Sequence, residues 1–294
     1  MLSKQNAKTL IKDNFKKHVF GRFPNDSELK SSHCGKLGHW LESNLGGKID
    51  SDGNADLNGY ECKVESKKTS WGDWGAPYKI FCDGSYKKLF YEEHIYENMW
   101  ILCKTLGVKR VHDKHGVYFS MSGTHIPTYI NDVSYIGLSL VEKNSDILIT
   151  YSFSKDQRLN KVEVIPSEFK KDNILIYKWH GTDISFNKFK NDVVVEKLPI
   201  DVKLEGPKAT VSLEERIRRK FGIHGMVVGM HDKNRKFYGL KFLKSITYQE
   251  WISFFKEKNV KYDTALTTRN KRPYNQWRSD KKFMETLVEE IYIP

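Results

Sequence analysis

Cysteine is scarce in this chain of 294 residues, and the four present, Cys34, Cys62, Cys82 and Cys103, form no Cys-x-x-Cys pair. That spacing argues against a zinc site and a disulfide framework, and it fits a reducing cytoplasm. Long apolar runs are also missing. None approaches the ~18 residues needed to span a bilayer, so no membrane is expected as a partner. The opening stretch MLSKQNAKTLIKDNFKKHVFG has no continuous apolar segment and reads as an amphipathic helix, not a secretory leader. No internal repeat or low-complexity tract occurs. Acidic residues fall short of basic ones, 37 Asp and Glu against 49 Lys and Arg, for a net charge of +12 and an isoelectric point near 9.3. A surplus of that size points to a polyanion, nucleic acid first, although a merely basic soluble protein shares it.

What is present is the composition of a folded globular chain, 39% apolar and 13% aromatic, long enough for one large or two modest domains. The first third mixes helix and strand. GKLGHWLESNLGG places Leu37, Leu41 and Leu45 on one helical stripe, closed by Gly46 and Gly47. YKKLFYEEHIYENMWILCKTLG reads as a helix ending near Leu106. Strands are expected in GVYFSMSG, DILITYSF, KVEVIP, NILIYKWH and DVVVEKLPIDVKL. KLEGPKAT, around Pro207, is a candidate hinge. Beyond it come a helix with Ser212 and Glu215 as a capping box, a hairpin turning near Lys233–Asn234, the helix TYQEWISFFKEKN, the strand KYDTALTT and an amphipathic terminal helix.

The stretch ADLNGYECKVESKK carries the chemistry. From Tyr60 it alternates, with Tyr60, Cys62 and Val64 on one side and Glu61, Lys63, Glu65 and Lys67 on the other, the period of a strand. A reversal at Asn58–Gly59 would bring Asp56 to the same edge as Glu61. Two carboxylates converging there make a hard oxygen site suited to Mg²⁺. A neighbouring lysine can orient or deprotonate water and offset phosphate charge, as metal-assisted phosphodiester hydrolysis requires. Glu-x-Lys recurs, at Glu65/Lys67 and Glu168/Lys170 among others, and alone it describes a solvated strand face. Of these pairs, Glu61/Lys63 has an Asp five residues upstream. Glu42, on the flank of the leucine stripe, is placed to point along the core edge toward the same site. Lys67 and Lys68 are expected to face phosphates. Trp71 and Trp74 read equally as support for DNA or as core.

These residues resemble the catalytic signature of the MutH-like branch of PD-(D/E)XK nucleases, which includes type II restriction endonucleases of the MvaI/BcnI kind. The resemblance covers about residues 33–68 and rests on Gly35, Gly38, Glu42, Asp56, Glu61 and Lys63, in order and spacing. Ala55 stands where many members of the superfamily have proline. The resemblance implies a mixed α/β fold, with a restriction-endonuclease-like core, a mixed central β-sheet flanked by helices and a second DNA-recognition lobe. It implies metal ligation by Asp56 and Glu61, Lys63 as the water-positioning base, and Glu42 as an additional acidic residue. The expected activity is Mg²⁺-dependent, sequence-specific hydrolysis of double-stranded DNA leaving 5′-phosphate ends. A bacterial monomer with a companion DNA methyltransferase goes with it. A MutH-like repair nicking enzyme and a non-catalytic nucleic-acid-binding protein are the rival readings.

The lobes are expected to divide as residues 1–150, catalytic, and 151–294, recognition. Base reading needs side chains that reach groove edges. Residues 261–282 supply them, with seven Lys or Arg against two Asp. Candidates are Arg269, Arg272 and Arg278 for guanine, Asn270, Asn275 and Gln276 for adenine, and Asp263 for a cytosine amino group. Tyr274 and Trp277 would anchor the segment. Arg216, Arg219 and Lys220 are candidate phosphate contacts, while His224 and His231 read as structural or as DNA contacts.

Overall fold

The computed structural model describes residues 2–24, 28–29, 35–47, 54–82, 84–86, 88–92, 94–114, 116–182 and 212–294. In chain order the first elements are α1 (Lys4–Asn14, continued by a π-helical turn over Phe15–Val19), α2 (Lys36–Asn44), β1 (Tyr60–Val64), β2 (Lys68–Asp73) and β3 (Tyr78–Lys79). Then come α3 (Ile95–Leu106), β4 (Val108–His112), β5 (Gly116–Ser120), β6 (Ile136–Lys143), β7 (Asp146–Asp156), α4 (Lys161–Val164) and β8 (Ile174–Trp179). The last are α5 (Leu213–Phe221), β9 (Gly225–His231), β10 (Phe237–Leu243), α6 (Tyr248–Lys256), β11 (Lys261–Thr264), β12 (Asn275–Asp280), α7 (Lys281–Glu285) and β13 (Val288–Tyr292). The chain folds into two units. One comprises the described residues of 1–69, 188–252 and 280–294, the other those of 70–187 and 253–279.

The first unit is built on a four-stranded sheet of order β1-β9-β10-β13. β1 runs parallel to β9, and the β9–β10 and β10–β13 pairs are antiparallel, so the sheet is mixed as expected. Its core is laid down by helix periodicity: Ala7, Ile11, Phe15 and Val19 recur about every four residues and bury with Leu41 of α2 and Leu45 just after it against Tyr60, Cys62, Leu240 and Phe242. Ser3 caps α1, its Oγ accepting from the Asn6 amide at 3.2 Å. Beside this stripe on α1, Lys8 and Lys12 pair with Glu290 of β13. Among the described residues β1 is an edge strand of this sheet.

The second unit holds a sheet of order β3-β8-β7-β6, a sheet of order β11-β12-β2 and the two-stranded β4–β5 hairpin. Aromatic edges make its centre: Trp277 meets Tyr262 at 5.1 Å, Phe255 at 5.2 Å and Trp179 at 5.3 Å between ring centroids. Trp71 and Trp74 are buried and hydrogen-bonded into this body, through the Trp71 indole to Ser279 and the Trp74 carbonyl from the Trp179 indole. The core reading of both is therefore the observed one.

Several sequence expectations are corrected. The helix expected over YKKLFYEEHIYENMWILCKTLG starts only at Ile95, because His94 caps it and Asn98 folds back to bond the Glu92 backbone at both its amide and its carbonyl. KVEVIP is a single helical turn, not a strand. Its Lys161 ammonium donates to the Phe153 and Asp156 carbonyls, and Pro166 follows after the C-cap Ile165. The terminal helix is the short α7, after which β13 pairs with β10. DVVVEKLPIDVKL and the candidate hinge at Pro207 lie outside the described residues.

Candidate active site

A tight reversal sets the site. Asn58 and Gly59 both have positive φ, 50° and 102°, and the Leu57 and Tyr60 backbones exchange hydrogen bonds across them at 2.9 and 3.0 Å. This is a two-residue turn that requires left-handed backbone at both positions, hence Asn-Gly. A Cβ on Gly59 would stand 2.7 Å from the His224 ring, so glycine is needed for space as well. The turn folds Asp56 back onto β1, where its Oδ2 accepts the Cys62 amide at 2.9 Å.

Glu61 is buried, only 2% exposed, although the sequence reads as the polar face of a strand. A carboxylate is kept ionised in such a place only by partners. It has two: Lys63 donates to Oε1, and Lys220 of α5 reaches Oε1 at 3.0 Å and Oε2 at 3.1 Å. Burial alone would push the Glu61 carboxyl up, but the Lys63 and Lys220 ammoniums hold it below the ordinary range. For Lys63, burial pulls the other way, and the Glu61 and Asp56 carboxylates raise its ammonium above the usual lysine value. Asp56 behaves differently. Burial and the Glu61 charge push its carboxyl up to about 6, against the opposing pull of Lys220 and Lys63.

Glu42 comes from α2 and is 8% exposed. Its charge, with those of Asp56 and Glu61, surrounds the buried Cys62 thiol, which burial and these anions push well up. Gly47 leaves room for it: a Cβ there would lie 2.8 Å from Glu42 Cγ. The structure thus brings Asp56, Glu61 and Lys63 to one edge of the first unit, with Glu42 near enough to act on the Cys62 thiol between them. Glu65 stands apart from them, held by Lys241 at 2.7 Å and Lys281 at 3.0 Å. Lys67 and Lys68 are exposed.

Among the described residues no group of three or more His, Cys, Asp or Glu is arranged to hold a metal. The donor set still fits a hard divalent ion. Mg²⁺ is commonly held by one or two carboxylates and completes its shell with waters and substrate phosphate oxygens. Asp56 and Glu61 supply hard oxygen donors, and the raised Asp56 carboxyl marks a place where added positive charge is favourable.

By sequence Lys220 and Arg219 are both candidate phosphate contacts, and for the second the structure is a correction. Lys220 is at Glu61, and Arg219 is fully buried, its Nε donating to Glu215 at 2.7 Å and its Nη1 to Asn54 at 3.1 Å. His224 is structural, its ring against Tyr60 and its amide bonded to the Gly59 carbonyl at 3.0 Å.

In the second unit the candidate reading residues sit on the β11–β12 hairpin and its loop. Alternation turns Tyr262 and Trp277 inward and leaves Asp263, Gln276 and Arg278 on the outer face. Arg278 bridges them, with Nη1 2.9 Å from Asp263 Oδ2 and Nε donating to Gln276 Oε1 at 2.8 Å. Asn270 shapes the loop, accepting the Arg272 amide at 3.0 Å and donating to the Ala265 carbonyl at 3.3 Å. Arg269 and Arg272 are exposed. Asn275 is corrected. It is 3% exposed, and its side chain receives the Tyr262 hydroxyl.

Asp56, Glu61, Lys63 and Lys220 thus converge on one sheet edge, and the family and the relative that the chain matches make it a site-specific endonuclease. It belongs to the LlaMI restriction endonuclease family, whose model matches residues 22–292. The type II restriction enzyme ScrFI of Lactococcus lactis subsp. cremoris is 32% identical over 280 residues, covering 95% of this chain and 96% of that protein. Among solved structures, restriction endonuclease MvaI in complex with cognate DNA aligns at a TM-score of 0.49 and 10% identity, over 100% of this chain and 99% of that one. MvaI without DNA aligns at 0.39 and 9%, with the same coverage.

Proposed function

We propose that this type II restriction endonuclease hydrolyses double-stranded DNA at a short specific sequence, using Mg²⁺ held by Asp56 and Glu61 and leaving 5′-phosphate ends. The observation that carries the reading is the convergence of Asp56, Glu61 and Lys63 produced by the Asn58–Gly59 turn. When bound, the ion supplies a Lewis acid for the scissile phosphate and its attacking water. The chain does the rest. Lys63, held protonated by its two carboxylates, donates to the water and to the developing phosphate charge, which orients the first and offsets the second. Glu42 adds negative charge beside the pair. Lys67 and Lys68 face the phosphate backbone. Arg269, Arg272 and Arg278, with Asp263, Asn270 and Gln276, read base edges. The enzyme acts as a cytoplasmic monomer, cutting the strands in turn, with a companion methyltransferase protecting host DNA. Among the described residues no helix is long and apolar enough to cross a membrane.

The test is digestion of unmethylated phage DNA with Mg²⁺ and with EDTA. Discrete fragments bearing 5′-phosphates in Mg²⁺ alone are expected, and intact DNA in both lanes would overturn the reading.

Lys220 adds a positioning residue that no motif marks. By gripping both oxygens of Glu61 it fixes the carboxylate's orientation. Groups of this kind typically contribute ten- to a hundredfold to metal affinity or activity. Lys220→Met should slow single-turnover cleavage by about tenfold and alter the Mg²⁺ concentration giving half-maximal rate. Lys220→Arg should recover part of the loss. An unchanged Mg²⁺ dependence in both variants would rule the role out.

A further inference from the structure

The reading residues of the second unit have a neighbour to which the sequence assigned no function. β4 and β5 form a two-stranded antiparallel sheet with no third strand among the described residues. Its outer end stands in solvent: the cross-strand pair Val111 and Val117 is 76% and 56% exposed. A free hairpin of this kind has little stability of its own, so its root matters. That root is pinned to the loop carrying Arg269. Phe119 and Thr268 exchange two hydrogen bonds, both at 3.0 Å, the Met121 amide donates to the Leu266 carbonyl at 2.8 Å, and Ser120 bridges Thr267.

Charge and register point the same way. Residues 108–114 contain Lys109, Arg110 and Lys114 against Asp113. No ion pair to any of these three cations is found among the described residues, whereas Lys4, Lys8, Lys12, Lys178 and Lys241 are all paired. Arg110 lies directly across from Tyr118, and the Arg269 guanidinium stands over the Tyr118 ring at 5.0 Å. A cationic surface therefore continues from the Arg269 loop onto the Arg110–Tyr118 face of the hairpin, and Lys109 stands on the other face.

We propose that the β4–β5 hairpin is a second DNA-contacting element, lying in the major groove of duplex DNA and held there by Lys109, Arg110 and Lys114. The inference rests on the endonuclease reading above. The fit is one of size and charge. Two antiparallel strands lie about 5 Å apart, and the major groove, about 12 Å wide, admits such a ribbon, whereas the minor groove at about 6 Å does not. Cations with no ion pair among the described residues, on such a ribbon, suit phosphates and the acceptor edges of guanine.

The experiment compares wild type with the Lys109→Ala/Arg110→Ala/Lys114→Ala variant on a duplex containing the cleavage site, with Ca²⁺ in place of Mg²⁺. It reads affinity against salt and dimethyl sulfate protection of guanine N7, which lies in the major groove. Each lost phosphate contact should reduce the slope of log affinity against log salt by about 0.9. The variant should therefore lose about 2–3 from that slope, bind at least tenfold more weakly, and lose N7 protection beside the site, with its thermal midpoint unchanged. Lys114→Glu, a single exchange at the exposed turn, should weaken binding in the same direction and guards against misfolding of the triple variant. Wild-type slope and N7 protection in both variants would overturn the proposal. A reduced slope with N7 protection intact would overturn the major-groove placement. If the wild type neither binds nor cuts any duplex, the endonuclease reading fails instead.

Discussion

Replacing Lys63 with alanine is expected to reduce Mg²⁺-dependent DNA cleavage by roughly 10²–10⁴-fold while leaving duplex binding within a few-fold of wild type. The range is that of a positioned proton donor or charge stabiliser acting in the transition state. Binding is spared because the residues proposed to grip DNA, from Lys67 and Lys68 to the β11–β12 hairpin, do not depend on Lys63. Folding is largely spared too. Glu61 would lose one ammonium but keep Lys220 on both of its oxygens, so the buried charge is not orphaned. The measurement is single-turnover cleavage with saturating enzyme, beside gel retardation with Ca²⁺. Cleavage within threefold of wild type would remove Lys63 from the chemistry. Loss of binding in parallel with cleavage would mean a fold or interface defect, and Lys63→Arg would then separate the two by restoring charge without the lysine geometry.

Much of the candidate site's geometry is legible in the sequence, and the reason is local. Asn58–Gly59 is a turn that two adjacent residues specify, and the alternation from Tyr60 fixes which side chains share its edge. Asp56, Glu61 and Lys63 all lie within eight residues of one another, so short-range rules reach them. Lys220 was invisible for the opposite reason. It lies 159 residues from Glu61 in sequence, and only the parallel pairing of β1 with β9 and the packing of α5 bring it there. The same limit explains Arg219, which looks like surface charge on an amphipathic helix until Glu215 and Asn54 are seen to enclose it. Strand character failed in KVEVIP because side-chain bonds from Lys161 to two backbone carbonyls outweighed a β-branched composition. β13 was missed because its partner β10 is remote, and an amphipathic run of that length fits either period.

The same reasoning gives Asp56 a double prediction, with effects of opposite sign. Asp56→Asn should lower cleavage by at least ~10²-fold, since a neutral amide is a far poorer ligand for a hard divalent ion than a carboxylate. In EDTA, however, the variant should be more stable than wild type. The Asp56 carboxyl is raised from 3.8 to about 6, by burial first and then by Glu61. Between those two values the folded protein binds more protons than the unfolded chain, so stability falls as pH rises through that window. The full penalty applies above about 6 and vanishes below about 4. At roughly 1.4 kcal/mol per unit the ceiling is about 3 kcal/mol. The gain from Asn should be smaller, about 1–2 kcal/mol, because Lys63 and Lys220 lose a nearby anion when the charge goes. The asparagine oxygen can still accept the Cys62 amide, so the turn is kept. Thermal midpoints in EDTA at pH 8 should accordingly rise by about 2–6 °C in the variant and converge with wild type at pH 4. Added Mg²⁺ should reverse the order by stabilising wild type alone, because only a state that binds the ion gains from it. A variant less stable than wild type at pH 8 in EDTA would show that Asp56 is held by its surroundings and not strained by them. The opposite signs would show one residue giving up stability to keep charge where the ion is wanted.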